Sequence, residues 1–198
     1  MDLIVTIVRH GNTFTAGQPP RRIGARTDLP LVESGRVQAR ALGVALQRFD
    51  IVLAAPLLRT RATAEAILAA QYRAPAIESA DWLTEIDHGP DEGEAEDAVI
   101  ARIGTDALTA WDTEARAPDG WIIDEPARLQ GWRDLWTRGT GRVLIVTSNG
   151  AARFALRSDA SLQAQSATLP SLKLRTGAYG VIARTADGLR LLEWDRRP

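Results

Sequence analysis

Residues 3–8, LIVTIV, form an unbroken apolar, β-branched run that stops at Arg9-His10-Gly11. A strand with one wet face would alternate apolar and polar side chains, so a run without alternation fits a strand buried on both faces, as in a parallel sheet covered by helices. Residues 142–147, RVLIVT, repeat the pattern and lead into Asn149-Gly150, and IVLAAP from Ile51 and residues 76–78 supply two shorter strands. Between them, Val37, Leu42, Ala45, Leu46 and Phe49 recur at roughly helical spacing over 33–49. Further helices are predicted over 57–71, 95–115, 125–138 and, briefly, 151–158. VIART and LRLLEW flank Asp187-Gly188, a hairpin signal, so the sheet is not expected to be wholly parallel. Strands alternating with helices imply an α/β sandwich. With 198 residues, no internal repeat and no shift of composition, residues 1–198 are expected to form a single domain.

Composition narrows the chemistry. There is no cysteine, which removes disulfides, thiolate metal sites and a cysteine nucleophile. A net charge of -1 gives no global attraction to nucleic acid or to an anionic membrane, and neither is expected as a partner. The amino-terminal run lacks a basic leader and no segment approaches a bilayer-spanning length, so a cytoplasmic location is expected. The expected assembly is a monomer or small homo-oligomer.

Three segments carry candidate chemistry. Arg9-His10-Gly11-Asn12-Thr13 follows the first strand, and ligands of open α/β sheets gather at the carboxyl ends of strands. A neutral imidazole at His10 can attack phosphorus, and Arg9 both favours the neutral ring by repulsion and binds phosphate oxygens. Gly11 is expected to let the backbone approach the anion, and Thr13 to donate a hydroxyl hydrogen bond. Arg59 opens the helix after the second strand, where its guanidinium offers paired donors to two oxygens, whereas Arg61 is read as solvated. Glu85, in Leu83-Thr84-Glu85-Ile86-Asp87-His88-Gly89, is the candidate acid for the leaving oxygen. The acidic residues Asp91, Glu92, Glu94, Glu96 and Asp97 match no calcium-loop pattern and read as a solvated loop and helix start. Trp132 and Trp136, at helical spacing, read as packing residues.

Taken in order, these segments resemble the histidine phosphatase superfamily, also called phosphoglycerate mutase-like. The resemblance runs from residue 3 to about the strand after Pro170. It rests on Arg9-His10-Gly11; on Gly24, Asp28-Leu29-Pro30-Leu31, Gly35 and Gln38-Ala39; on residues 55–64, APLLRTRATA, apart from Ala55; and on Leu83, Glu85, Gly89, Glu92 and Gly93. It implies a three-layer α/β sandwich with a mostly parallel central sheet. It also implies that His10 carries the phosphoryl group, that Arg59 is the second phosphate-binding arginine and that Glu85 is the proton donor. No cofactor and no metal is implied, and the partner is a small-molecule phosphate ester.

Two departures mark the chain. The family strand resembling RVLIVT ends in a second histidine, whereas this chain reads Thr147-Ser148-Asn149-Gly150, and its two histidines are His10 and His88. The Asn149 amide can donate to a phosphate oxygen but is neutral, which predicts a rate penalty of about ten-fold or more. Asn149 reads equally well as a turn residue that tolerates left-handed backbone. Ala16 stands where many members place an asparagine. His88 can compensate for the missing histidine, although a polar loop histidine is the simpler reading. The expectation is therefore a metal-independent phosphomonoesterase acting through a phosphohistidine at His10. The alternatives are a phosphate-binding or regulatory protein of the same fold with impaired catalysis and, with less support, a mutase-type phosphotransferase.

Overall fold

The computed structural model describes residues 3–198; Met1 and Asp2, which belong to the expected domain and to the amino-terminal run, lie outside the described residues. One sheet organises the chain. Its strands are β1 (Leu3–Arg9), β2 (Ile51–Ala54), β3 (Ile77–Ser79), β4 (Gly141–Thr147), β5 (Tyr179–Thr185) and β6 (Gly188–Arg196), in the spatial order β3-β2-β4-β1-β5-β6. β1 to β4 run parallel, and β5 pairs antiparallel with both β1 and β6. The hairpin forms as its turn chemistry dictates, with Gly188 at φ 111°.

The apolar runs are buried on both faces, for the reason their lack of alternation implies. Leu3, Val5, Ile7, Val143 and Ile145 face one apolar cluster, while Val8, Leu144 and Val146 face another. The second cluster is closed by α1 (Glu33–Ala45) and α2 (Leu58–Leu68) through Leu42, Ile67 and Leu68. The first is closed by α3 (Glu96–Glu114), α4 (Glu125–Arg138), α5 (Asn149–Ala152) and α6 (Phe154–Arg157), through Trp111, Trp132, Trp136, Ala152 and Phe154. Three layers result. Leu3, Val5, Ile7 and Val8 are wholly inaccessible, and at about 1.5–3 kcal/mol for each aliphatic side chain this burial anchors β1 and the loop it delivers. Trp132 and Trp136 are packing residues, their rings stacked at 5.4 Å.

The helical regions differ in detail from their sequence pattern. The predicted helix over 151–158 is two short helices, and α7 (Ala160–Ser166) follows, capped by the Asp159 carboxylate accepting from the Ser161 and Leu162 N–H groups. That segment carries little apolar periodicity, so only its cap marks it. α3 is kinked at Gly104, which has φ 79°, a backbone conformation glycine adopts without strain. No helix among the described residues is long and apolar enough to cross a membrane.

Register places the site. Leu3 lies opposite Gly141 and Arg9 opposite Thr147, so β1 and β4 end level with each other. The His10 N–H donates to the Thr147 carbonyl at 3.0 Å, which holds the segments leaving the two strands side by side.

Candidate active site

A cavity of about 280 Å³ opens at these two strand ends, and Arg9, His10, Glu85, His88 and Asn149 all line it. A second cavity of about 520 Å³ shares Arg9 and His10 and is lined on its far side by Thr13 and Ala16. Thr13 therefore faces the approach rather than the chamber that holds Glu85.

His10 is 3% exposed, and its Nδ1 lies 2.8 Å from its neighbour's Gly11 carbonyl oxygen. A carbonyl only accepts, so Nδ1 carries the hydrogen and Nε2 keeps its lone pair. Nε2 makes no hydrogen bond among the described residues and is the nitrogen left to the cavity. Burial, followed by the charges of Arg9 and Arg59, holds the His10 pKa well below its ordinary value of 6.5. The ring is therefore neutral and nucleophilic at physiological pH.

The glycine after it does a different job from the one expected. A Cβ on Gly11 would lie 2.3 Å from the Gly35 carbonyl oxygen, and one on Gly35 would lie 2.3 Å from the Asn12 carbonyl oxygen. The pair lets the start of α1 press against the His10 loop, so close backbone packing rather than approach to an anion is what requires Gly11. Its N–H donates to Thr63 Oγ1 at 3.1 Å, and that hydroxyl donates to the Arg59 carbonyl at 2.7 Å, tying the loop to α2.

Arg9 donates through Nη1 to the Leu174 carbonyl at 2.7 Å, while its buried Nε has no partner. Burial lowers its pKa to about 10, so it stays charged. Arg59 is inaccessible and does not line the cavity; its terminal nitrogens donate to the Thr27 carbonyl at 2.7 Å and the Gly24 carbonyl at 3.1 Å. Two of its five N–H groups are thereby used, and its charge reaches His10 from behind the pocket wall.

Asn149 begins α5. Its Oδ1 accepts the Leu174 N–H at 2.9 Å, which turns Nδ2 away from that backbone as a free donor. The non-glycine residues with positive φ among the described residues are Arg73, Ala115 and Asp195, so left-handed backbone does not explain the asparagine.

Glu85 is 6% exposed. Its Oε1 accepts the Ile86 N–H at 2.9 Å and its Oε2 accepts the Gly150 N–H at 3.1 Å. A Cβ on Gly150 would lie 2.2 Å from Oε1, so only glycine lets the carboxylate come this close. Burial pushes the Glu85 pKa up, but the charge on His88, the two N–H groups and Arg59 hold it below the usual carboxylate value. From α4, Arg128 secures the loop by donating to the Thr84 carbonyl at 2.5 Å.

His88 is not a solvated loop residue. It is 5% exposed and forms part of the cavity wall, with Nδ1 3.5 Å from Glu92 Oε2. Glu92 and Asp91 likewise depart from the solvated reading of the acidic segment. Glu92 accepts from Gly24 and Thr27, and Asp91, 2% exposed, is held by Arg102 and by Trp121 Nε1 at 2.6 Å. Arg61, by contrast, is exposed as expected.

The sequence reading missed the cationic mouth of the cavity. Arg22 pairs with Glu96 at 2.6 Å and lies 5.3 Å from the Trp121 ring centre, and Lys173 Nζ pairs with Asp112 at 2.6 Å. Behind them, inaccessible Arg153 lies 4.0 Å over the Trp111 ring, its pKa lowered by burial to about 10. These residues come from segments without a shared motif. Only the doubled charge of Arg21-Arg22 offered a signal, and composition alone gives such a pair no partner.

Comparison with known proteins agrees with this geometry. The chain is 37% identical over 91 residues to the Bacillus subtilis protein named uncharacterized phosphatase PhoE, a match that spans 45% of each. It is 30% identical over 158 residues to 2,3-bisphosphoglycerate-dependent phosphoglycerate mutase 2 of Gloeobacter violaceus, covering 74% of this chain and 70% of that protein. The structure is similar to that of the alpha-ribazole phosphatase from Shigella flexneri, with a TM-score of 0.74 at 20% identity over 98% of this chain and 96% of that one. The family model of the histidine phosphatase superfamily (branch 1) matches residues 5–197. With the His10 loop, the paired strand ends and these matches together, the chain belongs to the histidine phosphatase superfamily.

Proposed function

We propose that the protein is a phosphomonoester hydrolase that works through a phosphohistidine at His10 and needs no divalent metal. The observation that carries this reading is the His10 ring, pinned at Nδ1 by the Gly11 carbonyl and kept neutral by burial and two arginines, with Nε2 left to an anion-sized cavity. Arg9 and the Nδ2 of Asn149 are placed to hold the phosphoryl oxygens, with the charge of Arg59 behind them and Thr13 on the approach. His10 Nε2 attacks phosphorus in line, the ester oxygen departs, and water then cleaves the N–P bond. Glu85, first read as the proton donor, is held in its ionised form. It therefore suits the second half of the cycle, in which it takes the proton of the attacking water.

Asn149 supports a second reading, a phosphate-binding descendant with impaired turnover, because a neutral amide stabilises developing charge less than a cation does. One experiment separates the two. Hydrolysis of p-nitrophenyl phosphate in the presence of EDTA is followed for the wild type, His10→Ala and Asn149→His, with acid-stable trapping and mass spectrometry of the His10 peptide. The phosphatase reading expects vanadate-sensitive turnover and a phosphorylated His10 peptide, both lost in His10→Ala. A folded wild type without turnover, made active by Asn149→His, would establish the second reading instead.

A further inference from the structure

A departing alkoxide needs a proton, and the carboxylate expected to supply it has none to give. Both Glu85 oxygens accept backbone N–H groups, from Ile86 at 2.9 Å and from Gly150 at 3.1 Å, an arrangement that favours the ionised form. The other titratable side chain buried in the cavity wall and not yet used is His88. Its surroundings are those of a positioned acid. Nδ1 lies 3.5 Å from Glu92 Oε2, and a Cβ on Gly24 would lie 2.7 Å from the same nitrogen, so that edge of the ring is packed against the Gly24 loop. The ring meets Trp121 edge to face at 4.6 Å, which fixes its plane. Nε2 makes no hydrogen bond among the described residues and is the nitrogen left to the cavity.

The charges around His88 favour a cation. From its own loop come the carboxylates of Glu85, Glu92 and Asp91. Asp91 is largely neutralised by Arg102 of α3, and Arg22 lies across the Trp121 ring and is itself paired with Glu96 of α3. Arg59 approaches from α2 by way of the Gly24 carbonyl. Glu85 and Glu92 thus remain as the carboxylates without a full counter-charge nearer than His88.

We propose that His88 in its imidazolium form, oriented by Glu92 at Nδ1, is the acid that protonates the leaving oxygen from Nε2. The assignment rests on the phosphohistidine reading above. In the first step the His10 Nε2–P bond forms, the P–O ester bond breaks, and the His88 Nε2 proton passes to the ester oxygen, which leaves as an alcohol. In the second step a water oxygen bonds to phosphorus, the N–P bond breaks, and one water proton passes to Glu85. Glu85 then releases that proton to solvent and His88 takes one up, so the cycle closes with water as the only co-reactant. The acid and base roles that a single glutamate would have to alternate are divided between two residues of one loop.

The test is dependence on the leaving group. Nitrophenolate departs without a proton, whereas the alkoxide of glycerol phosphate does not. kcat/KM is measured on p-nitrophenyl phosphate and on glycerol phosphate for the wild type, His88→Gln and Glu85→Gln, with thermal melting to confirm folding. General acid catalysis contributes about 10²–10⁴-fold, so His88→Gln is expected to lose about 100-fold or more on the alkyl ester and under about three-fold on the aryl ester. An equal loss on both esters, or a leaving-group-selective loss in Glu85→Gln instead, overturns the assignment while leaving the phosphatase reading intact. If His88→Gln does not fold, the wild-type pH profiles decide. An alkaline limb in kcat on glycerol phosphate that is absent on the aryl ester supports His88, and identical profiles overturn it. A wild type that hydrolyses neither ester and forms no phosphohistidine refutes both readings together.

Discussion

Glu92→Ala is expected to lower the unfolding free energy at pH 7 by about 3 kcal/mol, a value reached by two routes. The Glu92 side chain is 7% exposed and joins the two loops that wall the cavity. Its Oε1 accepts the Gly24 N–H at 2.8 Å and the Thr27 hydroxyl at 2.6 Å, and its Oε2 accepts the His88 N–H at 3.2 Å. Hydrogen bonds to a charged group contribute about 1.5–3 kcal/mol each, so three at the low end give about 4–5 kcal/mol, of which water entering the vacated space restores a part. The second route is titration. Burial pushes the Glu92 pKa up, but the hydrogen bonds from His88, Thr27 and Gly24 outweigh it and hold the carboxyl at about 2, against an ordinary 4.5. The unfolded chain takes up this proton near 4.5 and the folded chain only near 2, so the stabilisation is complete above 4.5 and is lost as pH falls toward 2. At about 1.4 kcal/mol per pH unit it amounts to roughly 3 kcal/mol. A domain of this size, with a stability of about 5–15 kcal/mol, survives the loss. Urea unfolding of both proteins, followed by tryptophan fluorescence between pH 7 and pH 3, measures the difference. A gap under about 1 kcal/mol at pH 7, or one that does not narrow as pH falls, would refute the reasoning.

Two further predictions test the chamber itself. Gly150→Ala places a Cβ 2.2 Å from Glu85 Oε1, so the carboxylate must retreat; overpacking of about 1–3 kcal/mol is expected from thermal melts, together with an aryl phosphatase rate lowered about ten-fold or more. Because burial, Arg9 and Arg59 hold the His10 pKa well below 6.5, its imidazole Cε1 proton is expected to show no shift between pH 8 and about 6 by NMR. A one-proton titration of His10 near 6.5 would remove the neutral-nucleophile argument.

Much of the fold was legible because its strongest signals are local. The runs at 3–8 and 142–147 are too apolar for a half-wet strand, and the helix predicted over 125–138 has those bounds in the structure. The hairpin followed from Asp187-Gly188. α7 and the break between α5 and α6 were not legible, because neither carries an apolar period long enough to read. At the site, the residues brought together at the strand ends include His10, Arg9, Glu85 and Asn149, all of them singled out beforehand. Arg59 was singled out too, yet its guanidinium is used mainly on the Thr27 and Gly24 carbonyls, a role no spacing reveals. Arg22, Lys173 and Arg153 carried no motif, and His88 resembled an ordinary loop histidine.

By itself the sequence determined the α/β layering, the strand that delivers His10 and the identity of the nucleophile. These depend on periodicity and on the chemistry of one short segment. Tertiary structure alone decided the protonation and contacts of the site. Whether Glu85 is ionised depends on the N–H groups of Ile86 and Gly150, and whether His88 is wet or buried depends on Gly24, Glu92 and Trp121. Those partners lie up to 65 residues away along the chain. Charge state follows from burial and from neighbours in space, and no local pattern in the chain encodes either.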